Sequence, residues 1–198
     1  MKKTIAAVAV LLTVAALFSS CSASGGRFSG MNYKLRDDGT VVITGYSDKT
    51  TVTELVVPDE IDGKPVVGIE DFGICNAESL TKLTIGKNVR EIAGWALTNN
   101  QHITEDVVAE GNESFVSVDG VIFSADMKTL YCYPCGRDVE FDRFGQNLNT
   151  TTYSIPDGVE VIRTKAFYKC YYVDVDYFPD TITDIQEKAF HKASALTD

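Results

Sequence analysis

The chain of 198 residues is poor in the groups that catalytic, metal-binding and nucleic-acid-binding sites require. It has 2 histidines, 1 tryptophan and 5 prolines, and its 18 basic residues face 28 acidic ones, for a net charge of −10. No basic cluster follows the N-terminus, which argues against a nucleic-acid groove. His102 and His191 lie far from any compact set of metal ligands, and we expect both at the surface. No Gly-x-Ser-x-Gly motif is present, so the sequence predicts no catalytic residue, cofactor or metal.

Long apolar segments are also scarce, and the one at the N-terminus indicates export. Lys2 and Lys3 precede an uncharged apolar stretch at residues 4–18, which is short for a membrane span of about 20 residues. We therefore predict a signal peptide over residues 1–20. The following "LFSSC" resembles the lipobox of bacterial lipoproteins, which implies lipidation of Cys21, a tether over residues 21–27 and a lipid-anchored protein on the outer face of a membrane. The alternative is ordinary cleavage near Ser20 or Ala23.

Four cysteines remain after Cys21, too few for a dense disulfide scaffold. Cys132 and Cys135 form a Cys-x-x-Cys pair, for which three interpretations stay open: a redox-active pair, a local disulfide, or two inert thiols. Cys75 and Cys170 are expected to pack as small hydrophobic side chains. The pair does not open a helix after a strand, as a thioredoxin-like motif would, so the redox interpretation has the least support.

What the sequence has in abundance is internal repetition. The phrase "IRTKAF" at residues 162–167 returns as "IQEKAF" 23 residues later, at residues 185–190. Four isoleucines define the register, each followed four residues later by a small residue and five residues later by a large apolar one. These isoleucines are Ile69, Ile92, Ile162 and Ile185. A period of about 23 residues predicts a β-rich leucine-rich-repeat solenoid of about five turns with short parallel strands, in which each turn buries its apolar face only against its neighbours.

Several segments carry a resemblance to the BspA-like leucine-rich repeats of bacterial surface proteins over residues 28–198. They are "VVPDEIDGKPVVGIEDFGI", "LTIGKNVREIAGWAL", "YSIPDGVEVIRTKAF" and "FPDTITDIQEKAF". Residues 33–46 resemble the family's N-terminal hairpin, with a turn at Asp38-Gly39. Residues 112–152 interrupt the repeat as an irregular insertion, a hairpin turning at Asp119-Gly120 followed by a polar loop.

The resemblance implies a non-catalytic protein-binding module that adheres to host matrix proteins or to neighbouring cells. The first alternative is a structural stalk, and the second is a thiol-disulfide enzyme that uses Cys132 and Cys135. Because successive strands stack, we expect their outward residues to align into one candidate binding ladder, unless this surface is simply a solvated sheet face. The ladder residues are Val56, Thr84, Val107, Ser154 and Tyr177.

Two acidic residues conflict with the repeat. The inward strand position that Leu83 fills is occupied by Asp106 and by Asp176 in other turns. A buried, unpaired carboxylate is costly. Either these strands shift register or the carboxyl groups reach solvent at an edge, and the sequence does not decide between the two.

Overall fold

The computed structural model describes residues 25–140, 142–144 and 146–193, and their regular structure consists of short strands. The predicted signal peptide and Cys21 lie outside these residues. Within the described ranges, no helix is long and apolar enough to cross a membrane. The strands are β1 Gly25–Phe28, β2 Met31–Leu35, β3 Val41–Tyr46, β4 Glu54–Val56, β5 Glu60–Ile61, β6 Lys64–Ile69, β7 Lys82–Ile85, β8 Glu91–Ile92, β9 Glu105–Val108, β10 Phe115–Val118, β11 Val121–Ser124, β12 Thr129–Cys132, β13 Thr151–Ser154, β14 Val161–Ile162, β15 Val173–Tyr177 and β16 Asp184–Ile185.

The N-terminal part is an antiparallel meander that leads into the repeats. β1 pairs with β2, and β2 with β3 across the turn at Asp38-Gly39, where Gly39 has a φ of +82°. β3 then pairs in parallel with β6, so this hairpin supplies the first strand of the stack. Residues 25–27, assigned to the tether from the sequence, lie in β1.

The repeat strands stack in parallel as a solenoid, which confirms the predicted fold. On one side, β4, β7 and β9 pair in order, and β13 pairs with β15. On the return side, β6 pairs with β8, β12 with β14, and β14 with β16. The repeat isoleucines are in register, since Ile69 faces Ile92 and Ile162 faces Ile185. The solenoid has about six turns rather than the expected five, because β3 and β12 also occupy return positions.

The return segments confirm why the repeat needs a small residue followed by a large one. Ala166 is buried beside the backbone, and Phe167 is 1% exposed and stacks on the ring of Phe190 at a centroid distance of 4.9 Å. Its amide donates a hydrogen bond to the Ala189 carbonyl oxygen of the next turn at 2.8 Å. Ile185, on the last described strand, differs from its counterparts, because it pairs on one side only and is half exposed.

The predicted insertion forms the expected hairpin and joins two hydrophobic cores. β10 and β11 pair across Asp119-Gly120, and β11 pairs with β12. Ile122 packs into the N-terminal core, whereas Val121 and Phe123 pack into the C-terminal one. After β12, residues 136–140, 142–144 and 146–150 lie mostly in turns and irregular structure. The amide of Glu140 donates to the Asn149 side-chain oxygen across this loop at 2.7 Å.

Candidate functional site

The predicted outward ladder is present as two separate rows. In the first row, Val56 faces Thr84, which in turn faces Val107; in the second, Ser154 faces Tyr177. The rows are not continuous, because the hairpin occupies the free edge of β9. The Asp106 amide donates to the Gly120 carbonyl oxygen at 3.0 Å, and β9 therefore does not pair with β13.

The two rows differ in chemistry. In the first, Val56 is 57% exposed, and Lys82 and Glu105 form an exposed ion pair at 2.7 Å beside it. In the second, Tyr177 is 46% exposed and its hydroxyl donates to Asp157 at 2.9 Å, a hydrogen bond that raises the pKa of Tyr177. The second row is thus an exposed aromatic ring bordered by acidic groups.

The two acidic residues predicted at inward strand positions differ in burial. In β15 the register shifts between Val175 and Tyr177, so that Asp176 is skipped by the pairing, is exposed and accepts a hydrogen bond from Ser154 at 2.6 Å. Asp106 keeps the register of Leu83 and is 1% exposed. The structure therefore places one carboxyl group at the surface through a bulge and leaves the other in the interior.

Asp106 is buried without a nitrogen or oxygen donor for either carboxyl oxygen in the described part of the chain. Burial raises the pKa of Asp106 to about 8, and the facing thiol of Cys132 offsets only part of this effect. Burial likewise raises the pKa of the Cys132 thiol, and the Asp106 carboxyl adds to the shift. The two groups line one cleft together with Tyr133, Cys135 and Lys165.

The cysteine pairing differs from the local disulfide that the Cys-x-x-Cys spacing offered. Cys135 is bonded to Cys170, 35 residues away, whereas Cys132 is a free thiol. The physical reason is stacking: β12 pairs with β14, which brings the turn after Cys132 against the return segment of the next repeat. Leu130 faces Ile162 in this pairing, so aligning Leu130 with the repeat isoleucines would have indicated the contact from sequence. Cys75 is buried as a free thiol, as expected, whereas the expectation that Cys170 packs only as a small hydrophobic side chain is wrong, because it forms the disulfide.

A second feature missed from the sequence is an aromatic stack along the return side. Phe72, Trp95, Tyr168 and His191 follow one another at centroid distances of 5.6, 6.2 and 5.6 Å. The Lys165 ammonium lies between two of these rings, 3.7 Å from Trp95 and 3.8 Å from Tyr168. Lys165 covers one face of Trp95 and of Tyr168, so these two rings pack between turns, whereas Phe72 at the end of the row is 54% exposed. The sequence feature that could have predicted this aromatic stack is the 23-residue spacing from Phe72 to Trp95 and from Tyr168 to His191.

The described residues contain no group of three or more His, Cys, Asp or Glu side chains that could hold a metal ion. Both histidines are exposed. The structure thus offers two places with functional potential: the outward strand face and the cleft that contains Asp106 and the cysteines.

Comparison with known proteins supports the repeat family. Residues 137–198 match the family model described as a BspA type leucine rich repeat region. No curated protein sequence matches the chain. The BspA-type family is therefore supported by a match to the C-terminal third of the chain and by the fold.

Several solved structures are similar to this chain at low sequence identity. A leucine rich cell surface protein from Faecalibacterium prausnitzii is 20% identical with a TM-score of 0.52, and the match covers 89% of this chain and 48% of that one. The pneumococcal vaccine antigen PcpA is 16% identical with a TM-score of 0.49, over 86% of this chain and 68% of that one. A leucine-rich repeat protein from Eubacterium ventriosum is 14% identical with a TM-score of 0.41, over 85% and 63%. The chain thus spans about half the length of the Faecalibacterium protein.

Proposed function

We propose that the chain is a non-catalytic recognition module of the bacterial surface, an adhesin-like protein that binds host matrix proteins or proteins of neighbouring cells. The observation that carries this proposal is the outward strand face, on which Val56 and Tyr177 are large, exposed and held at fixed positions by strand register. Leucine-rich-repeat solenoids offer such extended surfaces for protein recognition. The similar protein from Faecalibacterium prausnitzii is a leucine rich cell surface protein, which supports this location.

The charge of the face suggests the chemistry of the partner. Tyr177 lies beside the carboxyl groups of Asp157 and Asp176, and the whole chain carries a net charge of −10. A partner segment with lysine or arginine side chains next to an apolar residue would complement this row, since opposite potentials across an interface favour association. Tyrosine is enriched at protein interfaces because its ring gives contact area and its hydroxyl a hydrogen bond.

The test is binding of the full chain to a panel of immobilised extracellular matrix proteins by surface plasmon resonance. Val56→Ser and Tyr177→Ser should each raise the Kd at least tenfold, or about 1.4 kcal/mol, if they lie at the centre of the interface. Phe144→Ser and Phe72→Ser are matched controls, because both rings are exposed but neither residue belongs to a strand of the outward face. A chain that binds no member of the panel would favour the structural stalk, and equal losses in the controls would exclude this face.

The lipid anchor is a separate part of the proposal and rests on the motif at Cys21, outside the described residues. Cys21→Ala should move the protein from the membrane fraction to the soluble fraction of the exporting bacterium and abolish incorporation of labelled fatty acid. Ser19→Ala, which keeps a small residue before the cysteine, is the control. Unchanged membrane association of Cys21→Ala would instead indicate ordinary cleavage.

A further inference from the structure

Three cysteine sulfurs meet at one backbone oxygen. The Tyr133 carbonyl oxygen lies 3.9 Å from the Sγ atom of Cys132, 3.8 Å from that of Cys135 and 3.9 Å from that of Cys170. Two of these sulfurs form the disulfide, and the third is a free thiol beside it. A thiol and a disulfide around one atom are the reactants of thiol-disulfide exchange.

The same cleft contains a group that could accept a proton. Asp106 is 1% exposed, lines the cleft with Cys132 and Cys135, and has no nitrogen or oxygen donor for its carboxyl oxygens in the described residues. Apart from the facing Cys132 thiol, the described residues give this carboxyl no partner, although a buried carboxyl without one destabilises the folded state. Leucine occupies the equivalent position at Leu55 and Leu83, so packing does not require an acid there.

We propose that Cys132, Cys135, Cys170 and Asp106 form an intramolecular thiol-disulfide exchange site. The Asp106 carboxylate takes the proton of the Cys132 thiol, and the resulting thiolate attacks the Cys135 sulfur. A Cys132–Cys135 bond forms, the Cys135–Cys170 bond breaks, and Cys170 leaves as a thiolate that regains the proton from Asp106. One disulfide replaces another, so the step needs no oxidant or reductant.

The difference in burial between the two disulfide sulfurs decides which of them the Cys132 thiolate attacks. Cys135 is half-buried and follows Cys132 in the same turn, whereas Cys170 is fully buried in the return segment. Attack on Cys135 keeps the new bond within residues 132–135, and it removes the bond that spans 35 residues between the hairpin and the next repeat. Exchange therefore removes the covalent link between the hairpin and the C-terminal turns and generates a new free thiol at Cys170. This inference is independent of the proposed binding function.

The titratable groups around the carboxyl define how pH acts on the step. Cys132 faces Asp106 and Glu105 is the adjacent charge, while Tyr133 and Lys165 also line the cleft. The pKa of Asp106, about 8, means that its carboxylate form becomes populated as the pH rises above neutrality. The Lys165 ammonium is occupied by its two aromatic rings. We therefore expect the exchange to accelerate between pH 7 and pH 9.

The experiment follows the appearance of the Cys170 thiol. The oxidised full chain is incubated at pH 7, 8 and 9 and quenched in acid, and it is then unfolded with N-ethylmaleimide at mildly acidic pH so that buried thiols are also labelled. The labelled cysteines are identified by peptide mass spectrometry. The wild-type chain should yield molecules labelled at Cys170 that contain a Cys132–Cys135 bond. Cys132→Ser should abolish this species, and Asp106→Asn should reduce its rate of formation at least tenfold at pH 8.

Two variants serve as controls, and circular dichroism establishes that every variant is folded. Cys75→Ser removes the other buried thiol, and Asp176→Asn removes the carboxyl of the equivalent strand position; both should label Cys170 at the wild-type rate. Wild-type protein labelled at Cys132 but never at Cys170 would overturn the proposal. Labelling of Cys170 in Cys132→Ser would also overturn it, because the thiol would then arise without exchange. An unchanged rate in Asp106→Asn would remove the carboxylate from the mechanism.

Discussion

Replacing Asp106 by asparagine tests the consequence of a buried carboxyl group for folding. Asparagine has nearly the same shape but cannot ionise. The carboxyl group is 1% exposed, and its pKa is about 8 in the folded chain, against an ordinary value of 3.8. The variant should therefore lose a pH dependence of stability that the wild-type chain has.

The direction of this pH dependence follows from proton binding in the folded and unfolded states. Between pH 3.8 and 8 the folded chain holds the Asp106 proton and the unfolded chain has released it, so raising the pH destabilises the folded state. The slope is about 1.36 kcal/mol per pH unit, which amounts to about 4 kcal/mol at pH 7. This loss of stability is large compared with the total free energy of unfolding of folded domains, which is typically about 5–15 kcal/mol. Below pH 3.8 the effect is absent, and above pH 8 it is complete.

The assay is urea unfolding at pH 5, 6, 7 and 8, monitored by the fluorescence of Trp95 and by circular dichroism. The difference in free energy of unfolding between Asp106→Asn and the wild-type chain should grow in favour of the variant by about 1.4 kcal/mol per pH unit. Asp176→Asn, at the exposed equivalent position, should track the wild-type chain. A pH-independent difference between Asp106→Asn and wild type would refute the assignment of a buried carboxyl group that stays protonated near neutral pH.

Two further predictions concern packing of the repeat. Phe167 stacks between Tyr133 and Phe190, so Phe167→Asp places a carboxyl group in the C-terminal core. This variant should lose the cooperative thermal transition of the C-terminal turns. The control Phe144→Asp, at a side chain that is 74% exposed, should leave the transition unchanged. Gly86→Ala adds a methyl group 2.6 Å from the Val57 carbonyl oxygen. It should lower the free energy of unfolding by about 1–3 kcal/mol in urea titrations. An unaltered urea midpoint would contradict this close approach of the two backbones.

Most of the fold could be predicted because its determinants are local or periodic. The isoleucine register between Ile69 and Ile92 follows from spacing alone, since each turn repeats the same interior. The hairpin at Asp119-Gly120 follows from residues that tolerate positive φ; the structure has φ values of 49° and 79° there. The number of turns was underestimated because β3 and β12 carry Ile43 and Leu130 in segments that do not show the repeat motif.

The candidate sites were less predictable because they depend on where the repeat is interrupted. The ladder from Val56 to Tyr177 requires every strand to pair with the next, and the hairpin at Gly120 ends that pairing at β9. Likewise, the partner of Cys135 is set by the strand pairing of β12 with β14, which joins residues on either side of a long loop. The interruption at β9 has no signature within a sequence window, and the β12–β14 pairing shows only when Leu130 is aligned with the repeat isoleucines.

The sequence by itself determined the repeat period, the interior residues and the two hairpin turns, because side-chain alternation and turn geometry act over a few residues. Tertiary structure alone decided that Asp176 reaches solvent through a bulge while Asp106 stays buried, and that Cys170 rather than Cys132 bonds to Cys135. Both outcomes depend on which neighbouring turn packs against a strand. Identical positions in a repeat acquire different chemistry when their neighbours differ, and this is how Asp106, Cys132 and Cys135 come to line one cleft.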